Sequence, residues 1–151
     1  MKTDDLKKKV LLIVEKATAL KDKHIGESAP VNYACIFSQN QAEYEELVDC
    51  AKEIGNVVKQ TPNGPLFQIS LQTGSGVLKL LKIRMPDPTR PELGDADFTI
   101  RNFLDFEKKY LQKRGFKLIP RENFRMIELM DPDFDVRAYF SYPPLDEQLG
   151  I

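Results

Sequence analysis

The order of folding signals between residues 31 and 85 recurs between residues 95 and 142, and this recurrence restricts the chain more than any single motif. Residues 31–37 are rich in β-branched and aromatic side chains, as strands are. Asn40 with Glu43 three residues on is a variant of the capping box, and Tyr44, Leu47, Val48, Ala51 and Ile54 then recur at helical spacing up to Gly55. Residues 57–60, 66–71 and 77–85 read as strands separated by Pro62-Asn63-Gly64 and Thr73-Gly74-Ser75-Gly76. In the second half, residues 95–101 read as a strand and Asn102 as a helix cap with Asp105 at N3. Phe103, Phe106, Tyr110 and Leu111 supply the apolar helix face, which Gly115 ends. Residues 116–119, 124–130 and 134–142 follow as strands, parted by Arg121-Glu122-Asn123 and Asp131-Pro132-Asp133. Each half is strand, helix, strand, strand, strand.

The rest of the chain frames these halves. Thr3 reads as the cap of a helix with Asp4 and Asp5 in its first turn, where acidic groups suit the dipole. Leu6, Val10, Ile13, Val14, Ala17 and Leu20 form its apolar stripe, which must dock on the domain or on a second subunit. The expected organisation is one α+β domain. Residues 1–29 are an N-terminal helix and linker, 30–86 a first βαβββ module, 87–93 a proline-rich connector, 94–144 a second module, and 145–151 a loosely packed tail.

Composition narrows the function classes. The net charge is -1 and no single-sign stretch exceeds Lys7-Lys8-Lys9, so the footprint of a nucleic-acid binder is absent. The apolar run at residues 10–14 is too short to span a bilayer, and no small-residue cleavage site follows it. The expectation is a cytoplasmic protein with neither a membrane nor a nucleic-acid partner. Cys35 and Cys50 have apolar neighbours, which favours buried free thiols, although sequence leaves a bridge between them open.

Two βαβββ modules in tandem resemble the vicinal-oxygen-chelate superfamily, which includes glyoxalase, bleomycin-resistance protein and extradiol dioxygenase. The second module carries most of the likeness. Gly94-Asp95-Ala96-Asp97-Phe98-Thr99-Ile100 resembles the opening strand, Tyr110 with Arg114-Gly115-Phe116 the helix end, and Asp131-Pro132-Asp133 the hairpin after the third strand. The resemblance implies a curled mixed sheet with a central cleft. It also implies a metal site built from the first and fourth strands of each module, usually of His and Glu. Here those positions hold Asp95, Asn32 or Tyr33, Arg137 or Ala138, and a residue near Lys82, while the single histidine, His24, lies in the linker. Lysine and arginine offer a cation no lone pair. The expectation is no metal and no cofactor.

Alternation along the strands gives the candidate cleft residues. Asp95, Asp97, Thr99 and Arg101 share one face, Arg137, Tyr139 and Ser141 another, and Lys82 and Arg84 a third with Leu78 and Leu80. The expected ligand-binding set is Tyr33, Lys82, Arg84, Asp95, Arg137 and Tyr139. An Asp95–Arg137 pair would fill the metal's place, leaving Lys82 or Arg84 to meet an anion through charge-assisted bonds. The plainer alternative is a set of interstrand ion pairs contributing under about 1 kcal/mol each. Asp95, Asp97 and Glu128 are the candidate acid–base groups. Three functions compete: a metal-free protein that binds a small, anionic organic molecule; an atypical lyase, isomerase or dioxygenase working through those carboxylates; and a scaffold with a closed cleft. A homodimer is expected from the exposed helix and from the resemblance.

Overall fold

Along residues 95–100 and 136–141 apolar side chains alternate with more polar ones, so the sheet must bury one face under helices. The computed structural model, which describes residues 1–151, has that arrangement. The elements are α1 (Thr3–His24), β1 (Val31–Phe37), α2 (Gln41–Ala51), β2 (Asn56–Thr61), β3 (Gly64–Thr73), β4 (Gly76–Arg84), β5 (Gly94–Thr99), α3 (Phe103–Tyr110), β6 (Phe116–Ile119), β7 (Arg125–Leu129), β8 (Val136–Tyr142) and α4 (Leu145–Leu149). The eight strands form one mixed sheet in the order β2-β3-β4-β1-β5-β8-β7-β6. Within each module the first and fourth strands pair in parallel, β1 with β4 and β5 with β8. The modules join through the antiparallel β1–β5 pair, so the first strands of both halves lie at the centre. This is the expected α+β class, with two βαβββ units and an N-terminal helix.

The helix-side core holds Ala34, Ile36, Leu81, Ile83, Ala96, Phe98, Ala138 and Phe140 from the central strands. The α3 side chain Phe106 packs on Phe140 with ring centroids 4.9 Å apart, and Phe98 lies 6.0 Å from the same ring. The α1 helix lies over the middle of the sheet, against β8, β1 and β5, and also touches α2. Its stripe of Leu6, Val10, Ile13, Val14, Ala17 and Leu20 is 0–2% exposed. Each fully buried Leu, Ile or Val contributes about 1.5–3 kcal/mol, so α1 is part of the core. The stripe is therefore not free to hold a partner, which removes the helix as the argument for a homodimer. Gly94 permits the close approach: a Cβ there would lie 2.1 Å from the Cys35 carbonyl oxygen and 2.9 Å from Ile13 Cδ1.

Several local expectations change. Lys2, not Thr3, precedes the first helix, and its N–H donates to Asp5 at 3.0 Å; the helix runs on past Leu20, the last residue of its apolar stripe, to His24, which is therefore helical and not part of the linker. The Asn40 side chain caps α2 by accepting the Glu43 N–H at 2.8 Å, whereas Asn102 makes no such cap and donates to the Asp105 carboxylate at 2.7 Å. The tail forms a helix, α4, with Asp146 3.6 Å from Lys79 and Gln148 donating to the Pro143 carbonyl at 2.7 Å. Both cysteines are free and buried. No helix is long and apolar enough to cross a membrane.

Candidate functional site

The face of the sheet opposite the helices is the cleft floor, and strand register aligns its side chains. Lys82, Cys35, Asp95 and Arg137 form one row across β4, β1, β5 and β8. Tyr33, Asp97, Tyr139 and Glu128 form the next row across β1, β5, β8 and β7. The expected site residues are thus brought together in two adjacent rows, with Arg84 beside Phe37 at the end of β4. One placement differs: the residue opposite Asp95 is Cys35, because Tyr33 faces Asp97 and Asn32 donates to Thr99 Oγ1 at 2.9 Å at the end of the sheet. Ala138 is fully buried in the helix-side core, which leaves Arg137 as the β8 residue on the cleft side.

The proline-rich connector closes over this floor. Its two ends continue β4 and β5, both cleft strands, so a short stiff segment between them must cross the rim. Arg90 reaches inward, with its guanidinium carbon 5.3 Å from the Phe37 ring and Nη1 donating to the Tyr139 hydroxyl at 3.4 Å. Glu92 accepts from Arg137 Nε at 2.8 Å, with Arg137 Nη2 at 2.7 Å from the same carboxylate. Arg137 Nη2 also donates to the Thr89 carbonyl at 3.0 Å. Asp87 takes Arg84 at 3.3 Å and Arg90 at 4.0 Å. Behind them the Tyr139 hydroxyl donates to Glu128 at 2.7 Å, and Glu128 lies 3.5 Å from Arg137. Cys35, Phe37, Leu66, Leu80 and Tyr139 are buried here although they are not part of the helix-side core.

The expected Asp95–Arg137 pair is not formed. Arg137 turns to Glu92 because the connector offers it a carboxylate bound through two nitrogens, a geometry suited to the guanidinium fork. Asp95 is left with Oδ1 buried and without a hydrogen-bond partner, as is Asp97, whose other oxygen accepts from Ser141 at 2.7 Å. Burial pushes the Asp95 carboxyl up to about 7, against the pull of Arg90, Arg84, Lys82 and Arg137. Burial likewise pushes Asp97 up to about 7; the Ser141 hydrogen bond opposes this and the Asp95 charge adds to it. Lys82 is lowered, first by desolvation, and burial raises the Cys35 thiol and the Tyr33 and Tyr139 hydroxyls well above their ordinary ranges.

The donor set does not fit a divalent metal. Lys82 and Arg137 occupy two of the four central positions, and no three His, Cys, Asp or Glu side chains gather anywhere in metal-binding geometry. Arg90, Glu92, Asp87 and Thr89 are the cleft residues that strand reasoning missed. The signal for them was present: charges alternate between prolines in a connector whose two ends both sit on cleft strands.

Paired βαβββ modules joined through their first strands define the class: an α+β fold with one curled mixed sheet, the layout that the sequence resemblance implies. No protein-family model matches the sequence, and no curated protein matches it significantly. A solved structure described as Structural Genomics, Protein EC4020 superposes with a TM-score of 0.73 at 10% identity, covering 97% of this chain and 91% of that one, and so shows the fold. Other neighbours are a glyoxalase/bleomycin resistance protein/dioxygenase superfamily member from Vibrio splendidus 12B01 (TM-score 0.47, 8% identity, 75% of this chain and 97% of that one) and methylmalonyl-CoA epimerase from Mycobacterium tuberculosis (TM-score 0.42, 13% identity, 83% of this chain and 99% of that one).

Proposed function

We propose that the protein is a metal-free binding protein whose cleft takes a small organic anion. The observation that carries this reading is the charge balance on the floor and rim. Four cations, Lys82, Arg84, Arg90 and Arg137, face three carboxylates, Asp87, Glu92 and Glu128, outside the Asp95–Asp97 pair. At neutral pH that pair carries about one negative charge and the cleft is close to balanced; as pH falls below about 7 the pair takes up protons and leaves an excess of positive charge. Lys82 forms no ion pair with the rim carboxylates, and Arg84 Nε is buried without a partner. A carboxylate on the ligand would satisfy both. An indentation of about 260 Å³ lined by Asn63, Arg84 and Asp87 lies where the connector leaves β4.

Calorimetric titration with malonate and benzoate at pH 6 and pH 8 tests this. Saturable binding, tighter at pH 6 and weakened at least about tenfold in Lys82→Met, is expected. No saturable binding of either carboxylate, or stoichiometric Fe, Mn, Ni or Zn in the purified protein, would overturn it.

A second reading, a lyase or isomerase, is favoured by one observation: two carboxyls near neutral pH, Asp97 in the row of Tyr139 and Glu128 and Asp95 in the row beside it, are the kind of group that proton transfer uses. A cytoplasmic location and a homodimer belong to the proposal as well. With the α1 stripe used internally, a dimer would have to form through another surface, such as the exposed edge strand β2 with Val57 and Val58. Light scattering of the purified chain decides that point.

A further inference from the structure

A pocket of about 860 Å³ lies at the end of the sheet, where β1 and β4 begin and β5 finishes. Its charges are of both signs and in part answer one another, Lys79 with Asp146 at 3.6 Å and Lys109 with Glu27 at 3.0 Å. Unanswered charge of a single sign gathers elsewhere, along one margin of the sheet.

The sheet has two open margins, β2 at one end and β6 at the other, each hydrogen-bonded to a single neighbouring strand. A strand at a margin presents a row of backbone N–H and C=O groups that another chain can pair with. The two margins differ in charge. Residues 53–61, the run that contains β2, hold one carboxylate, Glu53, and one cation, Lys59. Residues 113–121, the run that contains β6, hold four cations, Lys113, Arg114, Lys117 and Arg121, and no carboxylate. All four are exposed, and none forms an ion pair within the protein. The carboxylates of the neighbouring α3 are engaged, Glu107 by Arg125 and Asp105 by Asn102. A lysine on an edge serves to discourage unwanted pairing, and β2 has that one; β6 carries cations before, within and after the strand.

Their positions describe a partner. Lys117 lies opposite Glu128 and so turns to the cleft side, while Leu118, 37% exposed, lies opposite Ile127 and turns to the helix side. A strand added about 4.8 Å from β6 alternates its own side chains over the same two faces. Opposite charges attract across such a pair, so an acidic residue suits the place beside Lys117 and an apolar one the place beside Leu118. Further carboxylates at the two ends of the added strand meet Lys113 and Arg114, or Arg121.

We propose that the β6 edge binds an acidic, extended segment of another protein as an added strand, with acidic and apolar side chains in alternation. Main-chain hydrogen bonds hold the segment and the cations select it. Single-stranded nucleic acid fits less well, because it needs exposed aromatic platforms for its bases. The rings nearest the edge, Tyr110 and Phe116, stack on each other with centroids 5.6 Å apart, and Tyr110 is buried. This surface is separate from the cleft and does not rest on the reading of the cleft.

The test is fluorescence anisotropy of a labelled, terminally blocked Glu-Val-Glu-Val-Glu titrated with the full chain, with amide chemical shifts of the isotope-labelled protein to locate the peptide. Saturation below about 100 µM is expected, with shifts centred on residues 115–121 and affinity lowered about tenfold in Lys117→Gln/Arg121→Gln. Both side chains are exposed, so the fold survives their replacement. The same peptide N-methylated at its internal amides keeps its charge but cannot donate to a strand, and is expected to bind at least about tenfold more weakly. Lys59→Gln on the opposite margin is expected to change nothing. No saturation up to about 1 mM, equal affinity for the N-methylated peptide, or an equal loss in Lys59→Gln would overturn the proposal. So would tighter binding of a labelled oligodeoxythymidine, or shifts at residues 115–121 on raising the protein concentration alone, the mark of a second copy on this edge.

Discussion

The cleft and the end pocket are built from the same central strands and treat charge in opposite ways. In the cleft, Asp95 and Asp97 are 6% and 4% exposed, and the connector lays Arg90 and Glu92 over them. In the end pocket, Lys79 and Asp146 meet at 3.6 Å with 61% and 20% of their side chains exposed. The lesson concerns solvent. A charge removed from water depends on its partner, whereas a charge left in water is nearly indifferent to it.

That contrast predicts a graded set of outcomes. The largest comes from pH. Asp95 and Asp97 have folded-state values near 7, above the roughly 3.9 of an unfolded aspartate. The folded protein therefore holds more protons than the unfolded chain between those values, and stability falls as pH rises from about 4 through 7. Denaturant unfolding is expected to show a loss on the order of 2–4 kcal/mol between pH 5 and pH 8, flattened in Asp95→Asn/Asp97→Asn. Asp87, held near 2 by its Thr89 hydrogen bonds and by Arg84, loses its contribution only below about pH 4 and so leaves this window untouched. A flat wild-type profile would mean that the two carboxyls are solvated after all.

Next in size, Glu92→Gln leaves Arg137 with a neutral partner in a site where both side chains are about one-tenth exposed. A loss of about 3 kcal/mol is expected from urea midpoints. Removing residues 1–28 uncovers the helix-side core and is expected to abolish cooperative unfolding instead of changing only the oligomeric mass, which scattering and calorimetry would separate. The smallest effect belongs to the pocket: Lys79→Ala is expected to shift stability by less than about 0.5 kcal/mol. A cost as large as that of Glu92→Gln would break the comparison.

Much of the fold was legible. Alternation placed Asp95, Asp97, Arg137 and Tyr139 on one face and Ala96, Phe98 and Phe140 on the other, and the structure keeps both sets. Caps and turns ordered the elements correctly because each depends on only a few neighbouring residues. The site was legible as a set of residues but not as a set of pairs. Arg137 was assigned to Asp95, its neighbour in register, and instead meets Glu92, which is 45 positions away in sequence. Asn32 was weighed as a cleft residue and instead faces the pocket at the end of the sheet.

By itself, then, the sequence determined the order of elements in the two modules, the face on which most residues of β5 and β8 lie, and the presence of cations where a metal site would need donor atoms. Those properties follow from local periodicity and from residue chemistry. Only the tertiary structure decided which charges neutralise one another, that the first helix belongs to the core, and that a pocket of about 860 Å³ lies at the end of the sheet, outside the cleft. Long side chains choose partners by distance in space, and a connector that crosses a sheet sets those distances without leaving a periodic mark in the chain.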